Sequence, residues 1–127
     1  MRKTLVALSL GLALSGTALA ADDFRLVIHG GAGNIVEGRF SPEEEKAYHE
    51  GLQAALKAGY EVLNRGGTSV EAVKAAINQM ELNPIFNAGR GAVFTNEGKN
   101  ELDASIMDGK TLTAGAVAGV TNVKHPV

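Results

Sequence analysis

Thr113 is a candidate catalytic residue, because a threonine hydroxyl can act as a nucleophile. It begins TAGAVAGV, residues 113–120, a run of small apolar residues interrupted by glycines. A threonine hydroxyl becomes a nucleophile only after a base removes its proton, and in enzymes of this kind that base is the threonine's own free α-amine. The nitrogen of Thr113 is bonded to Leu112, so Thr113 would qualify only after cleavage of that bond. A strand residue is the favoured interpretation.

The three histidines do not supply the missing base. His29 ends an apolar run and could act as a general base, but a hydrogen-bonded structural role is the favoured interpretation. His49 falls on the charged side of a predicted helix, and His125 lies near the end of the sequence. No serine, histidine and aspartate form a recognisable triad.

Residues 29–34, HGGAGN, form a glycine-rich loop in which backbone N–H groups could approach a phosphate. The loop is not a dinucleotide fingerprint or a P-loop, because no glycine stands three residues after Gly33 and no Lys-Ser/Thr pair follows. The sequence therefore predicts a tight turn near a ligand.

Asp103 and Asp108 could suggest a carboxylate pair or a metal site. They are five residues apart in a strand and turn, so their side chains point to opposite sides of the pleat. No third acid or histidine lies at ligand spacing, and solvated turn acids are the favoured interpretation.

The segment MELNPIFNAGRGAVFT, residues 80–95, is more irregular than a plain linker. An Asn-Pro turn is followed by Asn87 and by two glycines around Arg90. Such loops occur where backbone carbonyls or a polar side chain must be aimed, and a ring of carbonyl oxygens would suit a hard monovalent or divalent cation. A surface loop with glycine-permitted turns remains the alternative.

Two helices and several strands must position these residues. Ser41 with Glu44 and Thr68 with Glu71 are capping boxes, so helices are predicted from Pro42 to about Arg65 and after Thr68. Their apolar faces at helical spacing are Tyr48, Leu52, Ala55, Leu56 and Leu63 in the first helix, and Val70, Val73, Ile77 and Met80 in the second.

Strands are predicted at residues 26–28, 92–95, 101–107 and 113–120, the last three joined by tight turns. The order β, α, α, β, β, β indicates an α+β fold. In residues 113–120 neither the odd-numbered nor the even-numbered positions are polar, which predicts that both faces of the strand are buried. Two helices, however, can cover only one face of the sheet. The chain is therefore interpreted as the front portion of a larger αββα sandwich. A small two-layer domain covered by a partner chain is the alternative.

The first 20 of the 127 residues are predicted to be a secretory signal peptide. Arg2 and Lys3 precede an apolar run and a small-residue ending, and about ten strongly apolar residues cannot span a bilayer core that needs roughly 20. Removing the segment takes away two of the 12 basic residues and none of the 14 acidic ones, so acidic residues outnumber basic ones in the remaining chain. Nucleic acid is therefore not an expected partner. The absence of cysteine excludes disulfides and thiolate chemistry.

Four blocks in this order, LVIHGGAG, NPIFNAGRGAVFT, ELDASIMDG and AGAVAGV, together resemble the plant-type L-asparaginase and isoaspartyl peptidase family of N-terminal-nucleophile hydrolases. The resemblance implies a four-layer αββα sandwich, made as a precursor that cuts itself into α and β subunits. The new N-terminal threonine of the β subunit would attack the side-chain amide of L-asparagine or the isopeptide bond of a β-aspartyl dipeptide.

That threonine belongs to a GTVGAVA-like motif beyond this sequence. The resemblance therefore implies that residues 21–127 are the N-terminal part of an α subunit, an incomplete domain with no catalytic residue. The expected partners are the remainder of the α subunit and the β subunit, assembled as an (αβ)2 dimer. The expected location is secreted or periplasmic, with no attachment to a membrane after signal removal.

The resemblance also assigns supporting roles. Gly31 would line the floor of the active site, and Asn87 would point toward the nucleophile. A sodium ion would be bound by main-chain carbonyls, those of Met80, Glu81, Asn83, Phe86, Ala88 and Arg90.

Two hypotheses of different class follow. The first is a fragment of an exported hydrolase, inactive alone, whose preference between asparagine and dipeptide is open. A glycosylasparaginase-like substrate choice is the less favoured variant. The second is a non-catalytic binding or scaffolding module that pairs an exposed sheet face with a partner chain.

Overall fold

A computed structural model of the chain describes residues 24–32 and 36–127. The elements are α1 (Pro42–Asn64), α2 (Ser69–Leu82), a 3₁₀ turn (Gly89–Gly91), β1 (Leu102–Asp108) and β2 (Thr113–Val120). The predicted signal peptide falls in residues 1–23, outside the described residues. Among the described residues, neither helix combines the length and the apolar character needed to cross a bilayer.

Both helices begin at the predicted capping boxes. Glu44 N donates to Ser41 Oγ at 3.2 Å, and Ser41 N donates to Glu44 Oε2 at 2.8 Å. Thr68 and Glu71 make the same reciprocal pair. The hydrogen bonds that the Glu44 and Glu71 carboxylates accept lower the pKa of each carboxyl below its usual value. The bond from the backbone N–H of the cap residue is the largest cause. The predicted starts of both helices are confirmed.

The first helix ends where glycine was expected to end it. The backbone of Gly66 has φ +78°, and its N–H donates to Leu63 O at 2.9 Å. This left-handed geometry favours glycine and satisfies a carbonyl at the helix end. The short connection that follows places α2 beside α1.

Small residues form the contact between the helices. Gly51, Ala55 and Gly59 recur every four residues on α1 and are buried, and Ala72 and Ala76 of α2 are buried. The prediction that Leu56 and Val73 lie in the core is wrong, since both are exposed. A β-carbon on Gly59 would lie 3.1 Å from Ala72 O, so the helices approach too closely for large side chains between them.

Residues 24–32 are extended along α1 but form no strand, so the predicted strand at 26–28 is wrong. Alternate side chains point inward, as in a strand. The rings of Phe24 and Tyr60 lie 5.3 Å apart, and Leu26 lies against Gly59. Among the described residues, no second strand pairs with this segment, and strand geometry without a ladder partner is not a sheet.

The strand predicted at 92–95 is also absent, for a different reason. Asn100 Nδ2 donates to Ala92 O at 2.7 Å and to Val93 O at 3.2 Å, and Val93 N donates to Asn87 Oδ1 at 3.0 Å. Side-chain amides thus make the bonds that a sheet ladder would make. The predicted tight turn that follows is present, because Thr95 N donates to Lys99 O at 2.7 Å.

The two remaining strands form an antiparallel hairpin. Asp108 pairs with Thr113 next to the turn, and Ala104 pairs with Val117. A bulge then places Ala118 and Gly119 opposite Asp103, with Gly119 at φ +64°, the positive φ that makes glycine suitable in bulges. The predicted strand at 113–120 is confirmed, and the strand predicted at 101–107 occurs one residue later.

The described sheet has two strands instead of the predicted four, and β2 is exposed on both faces. Every residue of β2 except Val120 is exposed, so the described residues leave both faces of this strand open, where the helices were expected to cover one face. Burial of both faces was predicted for the complete sandwich and stays a prediction. The physical reason is position: α2 packs against β1, and β2 is added to the sheet as the partner of β1. The buried core lies instead around Ala55, Met80 and Phe86.

Candidate functional site

The irregular segment at the end of α2 contains several internal hydrogen bonds. We call residues 80–91 the carbonyl loop. It leaves α2 at Leu82, turns at the Asn83-Pro84 pair and ends in the 3₁₀ turn. Ile85 N donates to Asn83 Oδ1 at 3.2 Å, an Asx-type turn that starts the reversal.

Phe86 anchors this loop to the helices. Its side chain is 3 % exposed and packs with Ala55 and Met80. The Tyr48 ring meets it edge-on at a centroid distance of 5.9 Å. A β-carbon on Gly51 would lie 2.9 Å from the Phe86 ring, so glycine at that position makes room for the anchor. Burial of this aromatic fixes the middle of the loop.

Two glycines allow the loop backbone to fold closely on itself. A β-carbon on Gly89, which has φ +51°, would collide with Glu81 O, and one on Gly91 would collide with Phe86 O and Pro84 O. Only a residue without a β-carbon fits beside these oxygens. The glycines at 89 and 91 thus let the carbonyl oxygens of Glu81, Pro84 and Phe86 lie close against the backbone of the loop.

The six carbonyls predicted to bind sodium all belong to this loop. Several already accept one hydrogen bond: Met80 O from Asn83 N at 3.1 Å, Phe86 O from Ala88 N at 2.8 Å. A carbonyl oxygen has two lone pairs, so one bond does not prevent ligation. A hard cation prefers neutral oxygen donors of this kind. The donor type and the crowded oxygens fit a monovalent cation.

Side chains offer no competing metal site. Among residues 24–32 and 36–127, no three histidines or acids come together as a metal-binding group. Asp108 accepts from Lys110 N at 2.9 Å and from Thr111 Oγ1 at 3.0 Å, which confirms it as a turn acid. Asp103 accepts from Gly119 N at 2.9 Å, so it stabilises the bulge and not a turn.

Asn87 is exposed, and its side chain bonds to the segment that follows the carbonyl loop. Its Oδ1 accepts from Val93 N at 3.0 Å, which fixes the orientation of the amide. With the oxygen held in this way, the Nδ2 group of the amide remains as a hydrogen-bond donor.

Gly31 lies in the loop whose residues 33–35 are outside the described part of the chain. Its φ is +127°, and its N–H donates to His29 Nδ1 at 3.2 Å. His29 therefore acts as a hydrogen-bonded turn residue, as favoured from the sequence, although its side chain is exposed. The acceptor role of Nδ1 requires the neutral ring with its proton on Nε2.

Thr113 is the first residue of β2 and pairs with Asp108, which confirms the strand assignment. Leu112 precedes it at φ 58°, an uncommon conformation for a leucine. The amide link between the two residues leaves Thr113 without a free α-amine, so the residue does not meet the chemical requirement for a nucleophile.

One polar pair joins a buried carboxylate to a partly exposed histidine, and nothing in the sequence indicated it. Glu81 is 2 % exposed, and its Oε2 lies 2.8 Å from His125 Nδ1. The sequence singled out Glu81 only for its carbonyl and His125 only as a histidine outside any triad. The residues are 44 positions apart, so no local pattern could have indicated their contact.

Comparison with known proteins gives a consistent result. A family model described as asparaginase matches residues 22–127. The chain is 47 % identical to the isoaspartyl peptidase of Salmonella typhimurium over 102 residues, which cover 80 % of this chain and 33 % of that protein. It is 48 % identical to the plant-type L-asparaginase of Thermococcus kodakarensis, again over 80 % of this chain, and 32 % of that one.

A putative isoaspartyl peptidase/L-asparaginase of Dictyostelium discoideum is 49 % identical over 80 % of this chain and 30 % of its own length. The chain therefore spans about one third of the length of the curated relatives that it matches. The match confirms the resemblance deduced from the four sequence blocks.

Proposed function

Because this chain belongs to the asparaginase family, we propose that it is the amino-terminal part of a hydrolase that cleaves the side-chain amide of L-asparagine and the isopeptide bond of β-aspartyl dipeptides. The observation that carries the proposal is the family match over residues 22–127, together with relatives 47–49 % identical that are named isoaspartyl peptidase or L-asparaginase. The family implies the N-terminal-nucleophile hydrolase fold. The two helices and the hairpin are consistent with part of it.

The proposed precursor cuts itself to expose a threonine that lies outside these 127 residues. The free α-amine of that threonine takes the hydroxyl proton while Oγ attacks the substrate carbonyl carbon. The tetrahedral intermediate expels ammonia, or the amine of a peptide, which leaves with a proton. Water then hydrolyses the aspartyl ester and regenerates the threonine. In this proposal the nucleophilic attack is made by that threonine and not by Thr113.

The proposed share of this chain is to build and hold the site. The carbonyl loop would bind a sodium ion through the six carbonyl groups already named, and the ion would supply positive charge that holds these oxygens together. The crowding at Gly89 and Gly91 supports this role. The exposed amide of Asn87 would then point from a fixed loop toward the nucleophile, and Gly31 would line the floor.

The exposed strand β2 supports the proposed assembly. Its apolar residues are open on both faces, and in the proposed four-layer αββα sandwich the rest of the α subunit and the β subunit would cover them. An (αβ)2 dimer of an exported protein, processed at residue 20, completes the proposal. Residues 21–127 are then an incomplete domain.

The decisive experiment measures ammonia release from L-asparagine and amine release from a β-aspartyl dipeptide. We expect the complete precursor to gain both activities after self-cleavage and the 127-residue chain to show neither. Turnover by the purified 127-residue chain would refute this assignment of roles. A cleaved precursor inactive on both substrates would refute the assigned reaction.

A substitution at Thr113 separates the scaffold role from a catalytic one. We expect Thr113→Ala in the precursor to leave self-cleavage intact, since Thr113 is a strand residue with a blocked nitrogen. Gel analysis of the purified precursor gives the fraction cleaved, with the unmodified precursor as the reference. Accumulation of uncleaved Thr113→Ala precursor would contradict the strand assignment.

A second candidate function rests on the same exposed strand. A non-catalytic module could pair the open face of β2 with a partner chain. A 127-residue chain that melts cooperatively as a monomer and binds no hydrophobic dye would count against both this candidate and the incomplete sandwich.

A further inference from the structure

Glu81, at the start of the carbonyl loop, has a buried carboxylate that contacts His125, a residue 44 positions further along the chain. The Glu81 side chain is 2 % exposed. A buried carboxylate is costly unless a donor satisfies it, and an ionised carboxylate can only accept hydrogen bonds. His125 Nδ1, at 2.8 Å from Glu81 Oε2, supplies that donor.

The same residue also touches the loop through its main chain. Glu81 O lies so close to Gly89 that a β-carbon there would collide with it. Glu81 thus connects three segments: the end of α2, the 3₁₀ turn, and the segment after β2 that contains His125. The hydrogen bond to its side chain and the close packing of its carbonyl therefore act on the same residue.

The chain contains a second pair of the same two residue types in a very different setting. His49 Nε2 lies 3.8 Å from Glu45 Oε1, and the two side chains are 69 % and 67 % exposed. An exposed ion pair at this distance contributes little to the stability of the fold. The two pairs therefore differ in burial: the Glu81 carboxylate is buried at the start of the carbonyl loop, whereas Glu45 and His49 lie exposed on the surface of α1.

We propose that His125 is a positioning residue for the carbonyl loop: its hydrogen bond to the buried carboxylate of Glu81 fixes the end of α2, and so raises the affinity of the loop for sodium. The inference rests on the proposed cation site and assigns a role to side chains that the carbonyl ligation itself does not use. Partners that orient the ligands of a metal typically change its affinity by about 10–100-fold.

The test is a sodium titration followed by thermal unfolding of the complete precursor. Choline chloride replaces sodium chloride to keep the ionic strength constant, and the rise of the melting temperature with sodium gives an apparent dissociation constant. We expect His125→Ala to weaken sodium binding by about 10–100-fold. His125→Asn, whose amide nitrogen takes the place of Nδ1, should restore the constant to within about threefold. His49→Ala is the control and should match the unmodified precursor.

Unchanged sodium affinity in His125→Ala, or failure of asparagine to restore it, would overturn the inference. If His125→Ala does not fold, Glu81→Gln decides the question: we expect about tenfold weaker binding, and an unaltered constant would overturn the inference. A precursor that hydrolyses asparagine but melts independently of sodium would overturn it while leaving the proposed reaction intact. A precursor with no hydrolase activity whose sodium affinity still depends on His125 would support it.

Discussion

The helical unit, residues 42–91, and the hairpin, residues 102–120, show opposite relations between sequence and environment. Both contain mostly small and apolar residues. In the helical unit some of them form a buried core around Ala55, Met80 and Phe86. In the hairpin they are open, and seven of the eight residues of β2 are exposed.

The difference shows that the two regions depend on different partners. The helical unit has its partners within the described chain: α1 packs on α2, and the carbonyl loop closes over both through Phe86. The hairpin keeps its backbone hydrogen bonds but has no cover for β2. A strand that is apolar on both faces is suited to a position between two layers, which the proposed precursor would provide.

The largest expected effect comes from charging β2 within the precursor. Ala116→Lys and Val117→Lys place a charge on opposite faces of the strand. If both faces are covered, each variant buries an unpaired charge and should destabilise the precursor on the order of 5 kcal/mol. Soluble yield and extent of self-cleavage measure this.

In the 127-residue chain, where both positions are exposed, the same substitutions should change stability by about 0.5 kcal/mol or less. Lys110→Glu in the hairpin turn is the control. Normal self-cleavage of either charged precursor would show that the corresponding face is open in the complete protein.

The next effect compares two phenylalanines. Phe86 is 3 % exposed and Phe94 is 71 % exposed. Phe86→Ala in the 127-residue chain should lower the free energy of unfolding by about 4 kcal/mol, because it empties the core of the helical unit. Phe94→Ala should cost about 0.5 kcal/mol or less. Urea unfolding followed by helical circular dichroism measures both, and equal losses would contradict the assigned core.

A smaller effect is expected at the glycines. A β-carbon on Gly91 collides with carbonyl oxygens, whereas one on Gly109 in the hairpin turn meets no atom within 4 Å. Gly91→Ala should therefore destabilise the chain by about 2 kcal/mol, and Gly109→Ala should be close to neutral. Denaturation midpoints of the two variants give the comparison. A neutral Gly91→Ala would mean that the carbonyl oxygens are not crowded there.

The smallest effect concerns the first capping box. Ser41→Ala removes the acceptor for Glu44 N and should cost about 1 kcal/mol. Because the pKa of Glu44 is lowered in the folded chain, its stabilising effect is present above the unfolded pKa and disappears as pH falls through the folded value.

The measurement is the thermal midpoint of Glu44→Gln and of the unmodified chain at neutral pH and near pH 3. The deficit of Glu44→Gln should shrink at the lower pH. Glu43→Gln, in the same helical turn but without a bond to Ser41, is the matched control. A deficit that persists unchanged in acid would show that the carboxylate charge is not what stabilises the cap.

Local signals predicted the helices well and the strands less well. A capping box involves residues three apart, so Ser41 with Glu44 and Thr68 with Glu71 placed both helix starts correctly. A strand needs a partner that the local pattern does not contain. Residues 92–95 have strand-like composition, but Asn87 and Asn100 take their backbone bonds, and no period in the sequence indicates that.

The candidate site divides in the same way. The irregular composition of residues 80–95 predicted a loop of this kind, with a plain surface loop as the alternative. The resemblance to the family assigned six carbonyl oxygens to a sodium ion, which stays a prediction. Which face of each helix packs inward was predicted less well, because Gly51 and Gly59 carry no hydrophobic signal although they lie at the closest contacts. The Glu81–His125 pair could not be predicted, since its members meet only after the chain has folded.

By itself, the sequence determined the helix starts, the hairpin strand at 113–120 and the membership in the asparaginase family. These depend on short-range capping, on a run of small apolar residues after a turn and on ordered blocks of residues. The tertiary structure decided that small residues and not leucines form the helix contact, that Phe86 anchors the carbonyl loop, and that His125 reaches Glu81. The physical reason is that burial and long-range hydrogen bonds are properties of pairs brought together in space, which no single stretch of the chain contains.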